Sequence, residues 1–381
     1  MQTHHRLSLI EQLQQLPDPR VRGRCEHDLV DVLMIALCCL LCGGEGFNDM
    51  ADFGQAKRKW FRTFLRLRSG IPTHDTFNRV FAALKPEAFL DLFMAWTQTL
   101  RTSVSAEIVA VDGKALRRAL DRGEGPRVIV SAWAASNSLV LGQVAVPDKT
   151  NEITAVPQLL RALELAGCIV TLDAMGCQKT IAKEIQEADA DYVLALKGNQ
   201  GQCHAEIKSY LDDAVARHSE KAPAKRNGVP LAYTETVEKD HGRLETRRSW
   251  QSGELGWFAG KDDWAGLRSV GVVESVRQVG PAAPTVERRY YLSSLGVDVD
   301  KFARAVRGHW AIENSLHWVL DVQCGEDRSR ARAGHAATNL ATLRRLALNL
   351  LKQDQTKKRG IKGKQLNASW DHAYLLRLLA F

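Results

Sequence analysis

This sequence has no apolar run of the roughly 20 residues that a membrane-spanning helix needs. The longest charge-free apolar stretch near its start, Val32 to Cys42, is far shorter and reads as a buried helix. Its first residues also lack the apolar core and cleavage site of a secretory signal, because His4, His5 and Arg6 lead into Glu11, Gln12, Gln14 and Gln15. The protein is therefore expected to stay in the cytoplasm. The eight cysteines (25, 38, 39, 42, 168, 177, 203 and 324) include no CxxC pair, and a chain of this size needs no disulfide staples, so reduced thiols are expected. Leu37, Leu40 and Leu41 surround Cys38, Cys39 and Cys42, which makes those three small packing residues rather than metal ligands. There is no internal repeat and no low-complexity tract.

Acidic residues are missing from one place in particular. Between Arg328 and Lys364 eleven Lys or Arg face a single acid, Asp354, a local excess of +10, so with a net charge of +8 the rest of the chain sums to −2. A second cluster, Lys57, Arg58, Lys59, Arg62, Arg66 and Arg68, contains no acid at all. Such segments attract a polyanion and gain from counterion release when they neutralise phosphates, which points to nucleic acid. Length and the 45% hydrophobic and 25% charged content allow two or three globular domains.

Residues 1–104 read as an all-helical N-terminal domain: Leu29 to Leu41 is apolar, Met50 to Leu67 amphipathic, and Thr73 to Leu84 starts with a capping signal after Pro72. The last two suggest a helix-turn-helix-like pair, a pattern that any helical bundle shares. From Glu107 the period becomes extended. Strands are expected at Ile108 to Val111, Val128 to Ala134 and Leu139 to Val146, then helix, strand, helix and strand at Val156 to Ala166, Ile169 to Leu172, Lys179 to Ala188 and Tyr192 to Leu196. The order βββαβαβ is that of an RNase H-like mixed sheet in an α/β protein, although other mixed folds share it. Residues 105–200 form the first part of that core and residues 201–300 a β-rich insertion. Residues 301–353 supply the helix that completes the core and a basic helix, with Phe302 to Val322 read as one long helix. Residues 354–381 read as a mobile basic tail and a short helix.

Two strands end in carboxylates: Ile108-Val109-Ala110-Val111-Asp112-Gly113-Lys114, and Cys168-Ile169-Val170-Thr171-Leu172-Asp173-Ala174-Met175-Gly176. A carboxylate is a poor strand former and costly to desolvate, so each needs a cation, a hydrogen bond or an exposed edge. Hard divalent cations take such oxygen ligands. A cap on the following turn is the simpler explanation for either one alone. A third carboxylate comes from Gly308 to Trp318, where Trp310, Glu313 and His317 share a helix face. Asp321, Glu326 and Asp327 follow, and spacing gives only a preference for Glu313.

At this point the chain resembles insertion-sequence DDE transposases of the ISAs type, the group that includes the H-repeat-associated proteins. The similar stretches are Ile71 to Phe77, Val111 to Lys114, Thr171 to Gln178, Leu194 to Gln200, His309 to Asn314, Leu316 to Trp318 and Gly325 to Asp327, in the family's order over nearly the whole chain. The resemblance implies that Asp112, Asp173 and Glu313 are catalytic and hold two Mg²⁺ ions, with Mn²⁺ as a substitute. Those ions would drive cleavage at element ends and transfer of the strand into target DNA. It further implies double-stranded DNA as partner, a homodimer that pairs two ends, and a bacterial, nucleoid-associated location when bound. Related transposases often place Tyr, Arg, Glu and Lys at fixed steps that fall here on Val306, His309, Glu313 and Leu320. Tyr and Lys are thus missing, which leaves a hairpin or another second-strand step open.

Lys114, Lys197 and Asn199, just past the strand ends, are expected to position DNA phosphates or the ligand loops, and further DNA contacts are expected from His241 and Arg243 at a turn in the insertion and from Arg307, His309 and His317 on phosphate. Trp310 or Trp318 would stack on an unpaired base or pack in the core. Arg328, Arg330 and Arg332 open the basic C-terminal segment. Two rival readings keep the same residues: an RNase H-like nuclease that does not join DNA, and a DNA-binding protein without catalysis.

Overall fold

Helices fill the N-terminal segment because its apolar residues recur at helical spacing without β-branched runs. They are α1 (Leu9–Gln14), α2 (Leu29–Leu41), α3 (Phe47–Ala56), α4 (Arg58–Phe61), α5 (His74–Ala83) and α6 (Pro86–Leu100). Then come strands β1 (Ile108–Ala115), β2 (Val128–Ala134) and β3 (Leu139–Val146), helix α7 (Glu152–Arg161), β4 (Ile169–Leu172), α8 (Lys179–Glu187), β5 (Asp191–Leu196) and α9 (Gly201–Ser219). Strands β6 (Ala232–Asp240), β7 (Arg243–Ser252), β8 (Ser269–Val279) and β9 (Thr285–Ser293) lead to α10 (Val299–His309), α11 (Trp318–Val322), α12 (Ala336–Gln353), α13 (Ile361–Trp370) and α14 (His372–Leu379). This is a computed structural model describing residues 9–21, 23, 25–101, 106–118, 127–146, 152–219, 231–240 and 242–379. His241 lies outside the described residues. No helix among them is long and apolar enough to cross a membrane.

The strands form one nine-stranded mixed sheet in the order β3-β2-β1-β4-β5-β9-β8-β7-β6. β2 and β3 pair antiparallel, whereas β1 with β4 and β4 with β5 are parallel. The expected βββαβαβ order and its RNase H-like arrangement are present, with β2, β3 and β4 at the expected residues. The β-rich stretch after residue 200 lengthens this sheet: β9 pairs antiparallel with β5 from Val193↔Ser293 to Leu196↔Tyr290, and β6 to β9 form a meander beyond it.

The chain divides into two compact units. In the first (Met1–Ser103, Gly113–Ala155 and Ile312–Phe381), α12 is buried from Ala336 to Leu351. A helix buried all round must satisfy its polar side chains internally. Asn339 donates to the carbonyls of Phe81 and Leu84, each at 2.8 Å, and Asn349 bonds the N–H and C=O of Val140 at 2.9 and 3.0 Å. In the second unit (Val104–Asp112 and Val156–Ala311), Phe302, Ala305 and Val306 of α10 pack with Ile169, Val193, Val273 and Tyr291 of the sheet.

Three expectations change. The helix read over Met50 to Leu67 stops at Ala56, and after the one-turn α4 the chain is not helical again until α5. The stretch ending at Lys364, read as mobile, enters α13. There the Lys364 ammonium is buried on the carbonyls of Leu351 and Asp354, at 2.8 and 2.6 Å. Phe302 to Val322 is interrupted after His309 and resumes through a π-helical turn at Glu313–His317. Apolar periodicity does not report a single wider turn.

Close packing of α10 on the sheet yields a test. A Cβ on Gly271 would lie 2.5 Å from the ring of Phe302, which is fully buried and has nowhere to move. Gly271→Ala should lower unfolding stability by about 1–3 kcal/mol through overpacking. An unchanged urea midpoint would show that the ring yields.

Candidate active site

Parallel pairing brings two carboxylates to one edge of the sheet. β1 and β4 run in register from Ile108↔Ile169 to Val111↔Leu172. Asp112 and Asp173 each follow the last pair, so they stand at the same level of neighbouring strands about 4.8 Å apart, where β4 ends and β1 runs on to Ala115. Asp173 is exposed, and its Oδ1 accepts the N–H groups of Met175 and Gly176 at 2.9 and 3.3 Å. One oxygen of that carboxylate thus caps the turn while the other takes no part in the cap. The turn is braced from the end of β5: the Asn199 amide donates to Ala174 O at 2.6 Å and Gln200 to Cys177 O at 2.8 Å. Lys197 beside them is exposed.

Helix α10 packs closely on β1 because Gly308 has no side chain. A Cβ there would fall 2.9 Å from two carbons of Ile108 at the start of β1. One residue on, His309 Nδ1 lies 3.1 Å from Thr171 Oγ1 on β4. Arg307 donates to Glu238 at 3.1 Å, and Arg243 pairs with Glu245 at 3.6 Å. Trp310 is 41% exposed, with the Arg289 guanidinium 4.4 Å from the centre of its ring.

The π-helical turn carries Glu313 and His317, and Glu313 Oε2 lies 3.1 Å from His317 Nδ1. His317 is only 4% exposed. Burial pushes its imidazole below the ordinary value against the pull of Glu313. Glu313 and His317 thus set a carboxylate oxygen and an imidazole nitrogen side by side on one turn. Carboxylate oxygens with one imidazole are a donor set that suits a divalent cation.

A buried charge network stands behind that turn. Lys114 is 8% exposed, and its ammonium lies 2.6 Å from Asp321, 3.1 Å from Asp327 and 3.4 Å from Glu326. Glu326 also receives the Arg345 guanidinium at 2.9 Å, with both side chains fully buried. Burial alone would raise the Glu326 pKa, but Arg345, Lys114 and Arg344 hold it at about 2. Burial pushes Asp321 up instead, since Lys114 must serve three carboxylates.

Residues 105–350 match the family profile described as "Transposase DDE domain", and residues 10–97 the one described as "DDE_Tnp_1-associated". The chain belongs to the DDE transposase family. It is 38% identical over 380 residues to "Putative transposase YncI" of Escherichia coli O157:H7, covering 98% of this chain and 94% of that protein. With "H repeat-associated putative transposase YhhI" of Escherichia coli strain K12 it shares 37% over 381 residues, covering 98% and 97%. "Inactive transposase YbfQ" of the same strain is 35% identical over 72 residues, 19% of this chain and 86% of its own. Membership in this family implies DNA as the partner and agrees with the RNase H-like sheet.

Against that family background, several residues sit differently from the expectation drawn from sequence. His317 was expected on DNA phosphate, but it is buried against Glu313. Lys114 is buried on carboxylates of its own chain, and Asn199 donates to the Asp173 turn, so the geometry of these two favours loop positioning over phosphate contact. Arg344 and Arg345, counted in the basic C-terminal segment, point inward and are 2% and 0% exposed. Sequence reasoning missed Arg345 as the partner of Glu326. The available signal was its place in a helix with leucines on every side, where a cation needs a buried counter-charge. Arg328 pairs with Glu45, Arg332 donates to Arg118 O at 3.1 Å, and Arg330 is exposed.

Removing one partner from a buried ion cluster leaves uncompensated charge. Lys114→Met should therefore lower stability by about 3 kcal/mol in urea denaturation at neutral pH. Glu326 gives a pH signature, because its folded pKa of about 2 lies below the ordinary 4.5. Its contribution is complete above about 4.5 and is lost as pH falls towards 2, so wild type should lose stability across that window. Glu326→Gln should flatten this part of the profile, and identical curves would remove Glu326 from the account.

Proposed function

We propose that this protein cuts DNA at the ends of an insertion element and joins the freed strand to target DNA, with Asp112, Asp173 and Glu313 as its metal-holding carboxylates. The observation that carries the reading is the placement of Asp112 and Asp173 at matching positions of two parallel neighbouring strands, each one residue past their last pair, in a chain of the DDE transposase family. Support for the third position comes from Glu313 beside His317 on the π-helical turn and from the family match that spans it. His317 joins the ligand set here, in place of a phosphate contact.

The oxygen-rich donor set fits two Mg²⁺ ions, and the imidazole also accommodates Mn²⁺. Such ions, when bound, activate water or a 3′-hydroxyl and offset charge on the leaving oxygen during in-line displacement. The protein's part is to supply the three carboxylates, to brace the Asp173 turn through Asn199 and Gln200, and to hold Glu313 through His317. Exposed cations bring the phosphates: Arg58, Lys59 and Arg62 in the N-terminal unit, Lys197 and Arg307 with the half-buried Arg243 in the sheet unit, and Arg328, Arg330 and Arg332 after the π-helical turn. Trp310 offers an accessible ring for an unpaired base. Two copies of the chain would pair the two element ends.

The test is an end-cleavage and strand-transfer assay with Mg²⁺ on the element's own terminal DNA. Asp112→Asn, Asp173→Asn and Glu313→Gln should each slow cleavage by about a thousandfold or more, since the carboxylates act as a unit. DNA affinity should stay within about twofold, because none of the three supplies phosphate-binding charge. Equal cleavage by wild type and all three variants overturns the site. Cleavage by wild type without joined products would make the protein a nuclease.

A further inference from the structure

A second concave site lies wholly within the unit that contains the N-terminal helices. It is a cleft of about 500 Å³ between the start of α3, the start of α5 and the extended segment that follows Gly325. Arg328, Arg330 and Arg332 all line it, together with the small residues Ser329, Ala331 and Ala333 between and after them. Asn48 and Asn78 line it as well, with Phe47 and Leu340 as apolar wall.

The acids around the cleft are already engaged. Glu45 pairs with Arg328, and Asp49 accepts the backbone N–H groups of Glu45 and Gly46 at 2.8 and 3.1 Å. Asp75 lies 3.5 Å from the imidazole of His74. Among the described residues Arg330 makes no hydrogen bond or ion pair, and the side chains of Asn48 and Asn78 make no hydrogen bond. Arg332 uses its Nε on the Arg118 carbonyl, which leaves its two terminal nitrogens for a ligand.

We propose that this cleft binds one unpaired nucleotide of single-stranded DNA, with Arg330 and Arg332 on its phosphate and Asn48 and Asn78 on its base. A cleft of this size accepts a nucleotide-sized ligand, whereas a double helix is far too wide to enter it. Arginine forks fit phosphate oxygens, and an asparagine amide offers the donor and acceptor pair that reads a base edge. The pairing edge of a base is open only when the base is out of the duplex. Staggered cutting of the two strands leaves such unpaired nucleotides, so the proposal rests on the DNA-cleaving reading above and names the form of DNA that one surface takes.

The experiment uses the full chain in EDTA, so that binding is read without cleavage. Fluorescence anisotropy compares a labelled single strand of about 12 nucleotides with a blunt duplex of the same length, and free deoxynucleoside monophosphate serves as competitor. The double variant Arg330→Ala/Asn78→Ala should weaken single-strand binding about tenfold and duplex binding less than about twofold. Arg330→Lys should retain part of the affinity through its charge. Equal loss on both DNAs, an unchanged single-strand affinity, or displacement by the monophosphate at concentrations that match the oligonucleotide would each overturn the proposal. Thermal melts of the variants check that both fold. Failure of wild type to cleave with Mg²⁺ in the separate end-cleavage assay would strike the catalytic reading and leave this binding result standing.

Discussion

The Glu326 carboxylate is the constraint on which much of the first unit depends. A fully buried carboxylate loses several kcal/mol of hydration, and only well-placed cations offset that cost. Its two partners arrive from far apart in sequence, Lys114 from the end of β1 and Arg345 from the middle of α12. Neither cation has an apolar alternative once the chain has closed, because each is itself buried. The end of β1, the loop after α11 and the central helix must therefore converge together or leave charges stranded. Asp321 on α11 joins through the same Lys114 ammonium, which ties the helix bearing the π-helical turn to the strand end.

Helix α12 spreads this constraint to the N-terminal helices. Its asparagines bond backbone carbonyls at the end of α5 and on β3, so the segment from Ala336 to Leu351 is fixed by directional contacts as well as by apolar packing. Directional bonds in a buried helix set its rotation, which apolar contacts alone leave loosely defined. The region matching the associated profile and the C-terminal helices thus belong to one compact unit. That arrangement puts Arg58, Lys59 and Arg62 in the same unit as Arg328, Arg330 and Arg332, which gives the proposed DNA-binding charge a rigid frame.

Strands were legible in the sequence because their signals are local. β2, β3 and β4 consist of β-branched and apolar residues bounded by turn formers, and nothing elsewhere in the chain overrides them. Asp112 and Asp173 were legible for a related reason, since a carboxylate at the end of an apolar strand is costly wherever the strand goes. Glu313 was not separable from Asp321 and Glu326 by spacing, because all three lie near one helix and differ only in what they meet across space. Lys114, Arg344 and Arg345 were misjudged for the same cause. A basic residue looks like surface charge until the partner that buries it is known, and here Lys114 and its carboxylates are more than 200 positions apart.

The π-helical turn at Glu313–His317 links that distant network to the candidate chemistry. A turn that takes in one residue more than an α-helical turn gives up regular hydrogen bonding, and such turns persist where surrounding contacts hold them and often mark functional sites. Here the turn sets His317 Nδ1 against the Glu313 carboxylate while the imidazole stays buried, so Glu313 is steered by a side chain that cannot itself swing into solvent. One turn further on, α11 offers Asp321 to Lys114. The wide turn is thereby clamped between a buried imidazole and a buried ammonium. A lone carboxylate on an exposed helix face would be free to sample its rotamers, and the clamp holds Glu313 in the one orientation that the proposed metal-binding role requires.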